Sequence, residues 1–167
     1  VQEALKNGYK FGFTSDSDNH VGKPASNSNG GVWDNYYSRM GITGVYTKEY
    51  SRDAIWDALN NRRTYGTTGA RILGFFTINN HFVGSEFNTT KKPKVNARLY
   101  GTDVFSEVFV YRNGEDLVYY AQPNEKNVEI KWTDHNVTAG ESYNYYVKGL
   151  QADGERIWIS PIWVNYQ

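Results

Sequence analysis

Hydrophobic and polar residues follow two different patterns along the chain, and the pattern changes near residue 70. Before this point, apolar positions predict the order helix, strand, loop, strand, helix over residues 1–63. The first helix is expected to end at Asn7-Gly8, because glycine accepts the left-handed conformation that closes a helix. Ser51 is expected to cap the last helix with its hydroxyl. This alternation of helix and strand favours an α/β architecture.

The strands of that first part are short and separated by a polar loop. They are predicted over YKFGFT (9–14) and ITGVYT (42–47). In the last helix, Ala54 with Ala58 and Ile55 with Leu59 have the spacing of one helical turn.

From Arg71 onward the apolar positions alternate with polar ones, and no helix is predicted. The inward positions include Val95, Ala97 and Leu99, and the same alternation recurs in later segments. Turn signals separate the segments, and roughly seven short strands of this kind are typical of a β-sandwich. The turns are predicted at Asn79-Asn80, Tyr100-Gly101, Asn113-Gly114, Ala139-Gly140 and Asp153-Gly154.

Composition removes several classes of function from consideration. The 167 residues include 18 basic and 18 acidic side chains, so no excess charge favours nucleic acid or an anionic membrane as a partner. No segment approaches the ~20 apolar residues of a membrane span. Cysteine is absent, which excludes disulfides and Cys-ligated zinc.

One loop carries residues that could do chemistry. In TSDSDNH (14–20), an extended chain would project Asp16, Asp18 and His20 to the same side. Two carboxylates and an imidazole could bind Zn²⁺, Mn²⁺ or Fe²⁺. The alternative is structural, since Asp and Asn are common in loops, where they cap turns.

The same loop resembles a known metal-binding motif. Ser17-Asp18-Asn19-His20 is similar to the last motif, S-D-x-H, of the PHP (polymerase and histidinol phosphatase) superfamily. The run RRTYGTTG (62–69) and the ending IWISPIWV resemble a poorly characterised bacterial branch of that superfamily.

The resemblance implies a distorted (β/α)7 barrel that binds divalent metals (Zn, Mn or Fe) and hydrolyses phosphoesters. Asp18 and His20 match its metal ligands, whereas Asp16 lies outside the motif. Thr67 and Thr68 belong to the matching T-T-G turn, which would lie near the pocket. Arg63 is a candidate for holding a phosphate oxygen, although a cation at a helix C-terminus needs no catalytic role.

The expected fold is therefore α+β. Residues 1–70 would be the C-terminal segment of a PHP-like barrel, and residues 71–167 an immunoglobulin-like antiparallel β-sandwich. The superfamily's first motif, H-x-H, is missing and the chain opens on Val1, so we expect a fragment of a metal-dependent hydrolase that is inactive alone. Its expected partners are the rest of the barrel and a small phosphoester, with neither nucleic acid nor membrane. Localisation is not encoded, and the composition is compatible with a periplasmic or cell-surface bacterial protein.

A different class of function is open as well. The β-sandwich could be a non-catalytic carbohydrate-binding or interaction module, because sugar rings stack on exposed aromatic side chains. The competing interpretation is that the strand tryptophans fill the core, and a purely structural role beside the barrel is a further alternative. Exposure decides between them for the aromatic candidates Trp33, Tyr36, Tyr37, Trp158 and Trp163.

Overall fold

The computed structural model describes residues 1–16 and 40–167 of the chain. In these residues it contains two short helices and ten strands. The helices are α1 (Gln2–Lys6) and α2 (Arg52–Asn60). The strands are β1 (Ile42–Val45), β2 (Thr64–Thr67), β3 (Leu73–Ile78), β4 (His81–Phe82), β5 (Glu86–Thr89), β6 (Lys94–Arg112), β7 (Asp116–Ala121), β8 (Glu125–Thr133), β9 (Ser142–Gln151) and β10 (Arg156–Tyr166).

All ten strands belong to one continuous sheet that folds back on itself. Strand β6 is 19 residues long, and its register shifts after Tyr100. Its first half pairs antiparallel with β3 and β8, and its second half pairs antiparallel with β7 and β9. The sheet runs in the order β1-β2-β10-β9-β6-β3-β4, so β6 joins a first layer (β4, β3, β8) to a second layer (β7, β9, β10, β2, β1). The short strand β5 pairs parallel with β10.

The main core lies between the two layers. The alternation predicted for the later strands is confirmed, since Val95, Ala97 and Leu99 are buried while their neighbours Lys94 and Arg98 are exposed. A Cβ added at Gly74 of β3 would lie 2.6 Å from Ile159 and 2.8 Å from Ile157, both on β10. The two layers therefore pack closely, as protein interiors do.

Two predicted turns have the expected backbone. Asn79 and Asn80 join β3 to β4, and Asn113 and Gly114 join β6 to β7, all four with positive φ. That conformation gives the two-residue turns that match the twist of antiparallel strands. The turn predicted at Tyr100-Gly101 is wrong, because this pair lies inside β6 where the strand bends.

The barrel predicted for the first part of the chain is wrong. Barrel strands of the (β/α) type are parallel, but β1 pairs antiparallel with β2, and β2 pairs antiparallel with β10. The α+β class with a separate immunoglobulin-like sandwich is wrong for the same reason, since strands dominate and form a single curled sheet that is antiparallel except for the pair β5 and β10. The domain boundary near residue 70 stays a prediction, and the pairing of β2 with β10 crosses it.

The segment predicted as a strand over residues 9–14 is not a strand. At its end the backbone is bound to side chains: the Phe13 amide donates to Ser160 Oγ (2.6 Å), and the amide of the following Ser15 donates to Thr43 Oγ1 (2.9 Å). Phe13 is nevertheless buried, as the apolar pattern predicted.

Helix α2 begins as the sequence predicted. The Ser51 side chain accepts a hydrogen bond from the Ala54 amide (3.2 Å), which satisfies one of the unpaired first-turn donors. The helix ends at Asn60, and Arg62 follows with φ of 57°. The two predicted pairs differ in their second members: Ala58 is fully buried and Leu59 is exposed, while Ala54 and Ile55 are both half-buried. Neither helix in the described residues is long and apolar enough to cross a membrane.

Removing the Phe105 ring should destabilise the fold severely, because it fills the bend of β6. The ring is fully buried and lies directly against Gly101 and Gly149. We expect Phe105→Ala to lower the free energy of unfolding by about 3–5 kcal/mol, measured by urea denaturation. Phe75→Ala is the matched control, since that ring is 44% exposed and should cost about 1 kcal/mol or less. Equal losses for the two variants would contradict the placement of the core at the bend.

Candidate functional site: an aromatic cleft on the outer face

A cleft of about 600 Å³ opens on the outer face of the second layer. Its floor follows from strand register: Trp158 on β10 lies opposite Lys148 on β9, and Tyr146 on β9 lies opposite Tyr111 on β6. These side chains alternate with core residues and so point away from the core. We call this site the aromatic cleft. It is lined by Val1, Gln2, Phe11, Gly12, Phe13, Thr14, Ser15, Gly66, Tyr111, Tyr146, Lys148 and Trp158.

The N-terminal segment builds one wall of the aromatic cleft. Leu5 of α1 and Phe13 pack on Tyr146 and Trp163 to form a second apolar cluster outside the main core. The Phe13 and Tyr146 rings meet edge to face with centroids 5.3 Å apart, a favourable aromatic geometry. Gly12 lets the N-terminal segment lie close to Thr64 of β2, since a Cβ at Gly12 would lie 2.9 Å from Thr64 Oγ1.

Tyr146 is held in the aromatic cleft by ring contacts and hydrogen bonds. Its ring stacks on Tyr111 with centroids 5.1 Å apart. Its hydroxyl accepts a hydrogen bond from Gln2 Nε2 and donates one to the Gly114 carbonyl, both at 3.2 Å. Burial raises the pKa of Tyr146 to about 12, because the phenolate would lose its hydration. The phenol is therefore neutral at ordinary pH, and the stacking and the two hydrogen bonds hold the ring in place.

The other wall of the aromatic cleft is open to solvent. Phe11, Tyr111 and Trp158 are half-buried, so part of each ring is accessible. Lys148 is also half-buried, and its ammonium lies 5.2 Å from the centre of the Phe109 ring. Thr14 is exposed at the rim. The site thus combines flat apolar surfaces with hydroxyl and ammonium donors, the composition of a small-molecule pocket.

The residues proposed from the sequence as catalytic lie elsewhere and have structural partners. Arg63 pairs with Asp57 of α2. Thr68 Oγ1 donates to Glu155 Oε2 (2.6 Å) and accepts from the Arg156 amide (2.8 Å), while Thr67 Oγ1 accepts from the Gly69 amide (3.2 Å). Arg63 and Thr68 flank opposite ends of β2, which separates them by about 16 Å at 3.3 Å per residue. A catalytic role for these residues stays a prediction.

The predicted metal ligands Asp18 and His20 lie outside the described residues, as do Trp33, Tyr36 and Tyr37. Asp16 is described and is exposed. Across residues 1–16 and 40–167, no group of three or more His, Cys, Asp or Glu side chains could hold a metal ion. A divalent metal (Zn, Mn or Fe) and a phosphoester substrate stay predictions.

The two strand tryptophans have different environments. Trp163 is 6% exposed, and the Arg62 guanidinium lies 5.2 Å from its ring centre, so this side chain cannot serve as a sugar platform. Trp158 is half-buried and lines the aromatic cleft. The packing interpretation therefore holds for Trp163, while Trp158 keeps an accessible surface.

Sequence reasoning missed most of the aromatic cleft. Phe11, Tyr111, Tyr146 and Lys148 were placed only as members of alternating segments. A signal was present, because aromatic residues also occupy the positions between the core residues, such as Tyr111 after Val110 and Tyr146 before Val147. An outward face rich in aromatic side chains is unusual enough to suggest a binding surface.

Residues 30–104 match the family described as "Protein of unknown function (DUF3604)". Proteins described only as uncharacterized, from Chlamydia trachomatis, Chlamydia muridarum and Chlamydia pneumoniae, are 31%, 30% and 29% identical to this chain. Each similarity covers 99% of this chain, and the chain spans 28% of the length of these relatives. Among solved structures, the fibronectin(III)-like modules of Clostridium thermocellum CbhA give a TM-score of 0.36 at 22% identity, covering 53% of this chain and 93% of that one.

These findings correct the family expected from the sequence. The family model that matches residues 30–104 is one of unknown function, and it replaces the PHP superfamily expected from Ser17–His20 and residues 62–69. The fold agrees with this correction, since the described residues form a curled, mainly antiparallel sheet in place of a barrel. The hydrolase and phosphoesterase functions inferred from that family are withdrawn with it.

Raising the pH should test the burial of Tyr146. An unfolded chain ionises this phenol near its ordinary pKa of 10, whereas the folded chain keeps the proton up to a pKa of about 12. The folded state then binds more protons, so stability falls as pH rises between these values. In Tyr146→Phe, the slope of unfolding free energy against pH should be less steep by up to about one proton.

Chemical denaturation at several alkaline pH values measures this slope. Tyr9→Phe is the matched control, because Tyr9 is 67% exposed. An identical change of slope in both variants would contradict the assignment to Tyr146.

Proposed function

We propose that this chain is a non-catalytic β-sandwich binding module and that the aromatic cleft binds a saccharide. The observation that carries the proposal is the outward row formed by Trp158, Lys148 and Tyr111 on the three neighbouring strands β10, β9 and β6. A row fixed by strand register keeps its spacing without a ligand, which lowers the entropic cost of binding.

The chemistry of the aromatic cleft suits a sugar ring. The apolar C–H face of a pyranose can stack on the accessible parts of Trp158 and Tyr111, because aromatic faces carry partial negative charge. The Lys148 ammonium and the Thr14 hydroxyl can bond to sugar hydroxyls at the edge of the ring. This combination of stacking and a few polar contacts gives orientation as well as affinity.

The composition of the lining supports binding without catalysis. Among the described residues that line the aromatic cleft, there is no carboxylate, imidazole or thiol. Glycoside hydrolysis generally uses a pair of carboxylates, and most other hydrolytic mechanisms need a general base of this kind.

A glycan array followed by calorimetric titration tests the proposal. The array of neutral and acidic oligosaccharides identifies the ligand, and the titration measures its affinity for the unaltered chain and two variants. We expect Trp158→Leu to weaken binding about tenfold or more, because it removes the stacking surface and a central aromatic contact contributes at least ~1.4 kcal/mol. Lys148→Met should weaken binding as well, and it leaves the apolar packing unchanged.

The chain offers a matched control for the tryptophan change. Trp56 on α2 is 66% exposed and lies outside the aromatic cleft, so Trp56→Leu should leave the affinity unchanged. Circular dichroism of each variant checks the fold. Saccharide binding in the aromatic cleft would be refuted if no glycan on the array bound the chain. It would also be refuted if the Trp158 and Trp56 variants bound with equal affinity.

A further inference from the structure

Helix α2 presents its larger apolar side chains away from the sheet. The small residue Ala58 is fully buried, while Ala54 and Ile55 are half-buried. Ile55, Trp56 and Leu59 recur at the spacing of one helix face. We call these three residues together with Tyr50 the α2 patch. They line a shallow surface depression of about 760 Å³, whose remaining lining residues are Ser51, Arg52 and Asp53.

The α2 patch is unusually exposed for its composition. Tyr50 is 97% exposed, Trp56 66% and Leu59 41%. Single apolar residues on a surface are common, but adjoining aromatic and aliphatic side chains of this size mark a site of association. Helices this short are also marginal in water unless a face packs against another element. Within the described residues, Ala58 is the fully buried residue of α2.

The relatives indicate what could cover the α2 patch. In the chlamydial proteins, the similar region takes up 28% of the length, so the rest belongs to further polypeptide joined to it. The family match over residues 30–104 includes the whole of α2. The α2 patch therefore lies within the region that this chain shares with its longer relatives.

We propose that the α2 patch docks onto an adjoining domain of the same polypeptide, of the kind that accounts for the additional length of the relatives. The contact on that domain is mainly apolar and supplies acceptors for the Trp56 indole N–H and the Tyr50 hydroxyl, because buried Trp and Tyr need both kinds of contact. This inference is independent of saccharide binding, since the α2 patch and the aromatic cleft share no lining residue.

Hydroxyl-radical footprinting of the complete gene product that carries this sequence tests the docking. Trp163 is the buried reference and Tyr9 the exposed one, at 6% and 67% exposure. With the α2 patch uncovered, Trp56 should oxidise roughly tenfold faster than Trp163, following their exposures of 66% and 6%. With the patch docked, we expect Trp56 to oxidise at a rate close to that of Trp163, and Tyr50 well below Tyr9.

A variant shows whether the protection comes from an apolar contact. Trp56→Glu places a charge in the contact, so the oxidation of Tyr50 should rise to that of Tyr9. Trp158→Glu is the control at the aromatic cleft and should leave Tyr50 protected.

Three outcomes would overturn the proposal. Trp56 could oxidise tenfold faster than Trp163 in the complete gene product, which would leave the α2 patch uncovered. Protection could disappear on dilution, which would make a second copy the occupant. Trp56 could be protected from oxidation to the same extent in the 167-residue chain alone, which would mean that this chain covers its own α2 patch.

Discussion

Strand β6 is the element on which the rest of the structure depends, because its two halves hydrogen-bond to different neighbours. The first half carries β3 and β8, and the second half carries β7 and β9. Its bend lets one sheet face itself across a common core, with Phe105 buried at the bend. Since alternate residues of a strand point to opposite faces, the register of β6 also decides which side chains form the outer surface.

A second irregularity places both late tryptophans on that outer surface. Trp158 and Trp163 are five residues apart, so a regular strand would put them on opposite faces. The register of β10 against β9 shifts between Ile159 and Ile162, and both of these residues lie in the core. Such a bulge changes the alternation by one residue. The N-terminal segment then covers Trp163 with Phe13 and leaves Trp158 partly open, which produces the aromatic cleft at the edge of the covered area.

The sequence allowed local features to be predicted, whereas strand pairing between distant segments was not predictable from it. Alternation located the buried positions of β6, β8 and β9, and the Ser51 cap of α2 followed from hydroxyl chemistry. The direction in which β1 pairs with β2 depends on contacts between separated residues, and a helix next to a strand is compatible with either direction. The barrel was therefore an error of topology. Gly101 was misread for a similar reason, because glycine occurs both in turns and where a strand bends sharply.

The part of the aromatic cleft that contains Tyr111 is held in place by an ion-pair network at the end of β6. Arg112 follows Tyr111 and turns toward the other side of β6, where its guanidinium binds the buried carboxylate of Asp134 (3.0 Å) and Asp116 of β7 (2.5 Å). Tyr145 donates to the same Asp134 carboxylate (2.9 Å), which joins β9 to this network. Breaking a buried ion pair of this kind costs several kcal/mol, so the end of β6 is held firmly. The cleft wall is thus fixed by the fold itself, while in α2 Ala58 is the fully buried residue. A prearranged surface suits ligand binding, and an incompletely packed helix suits docking to another domain.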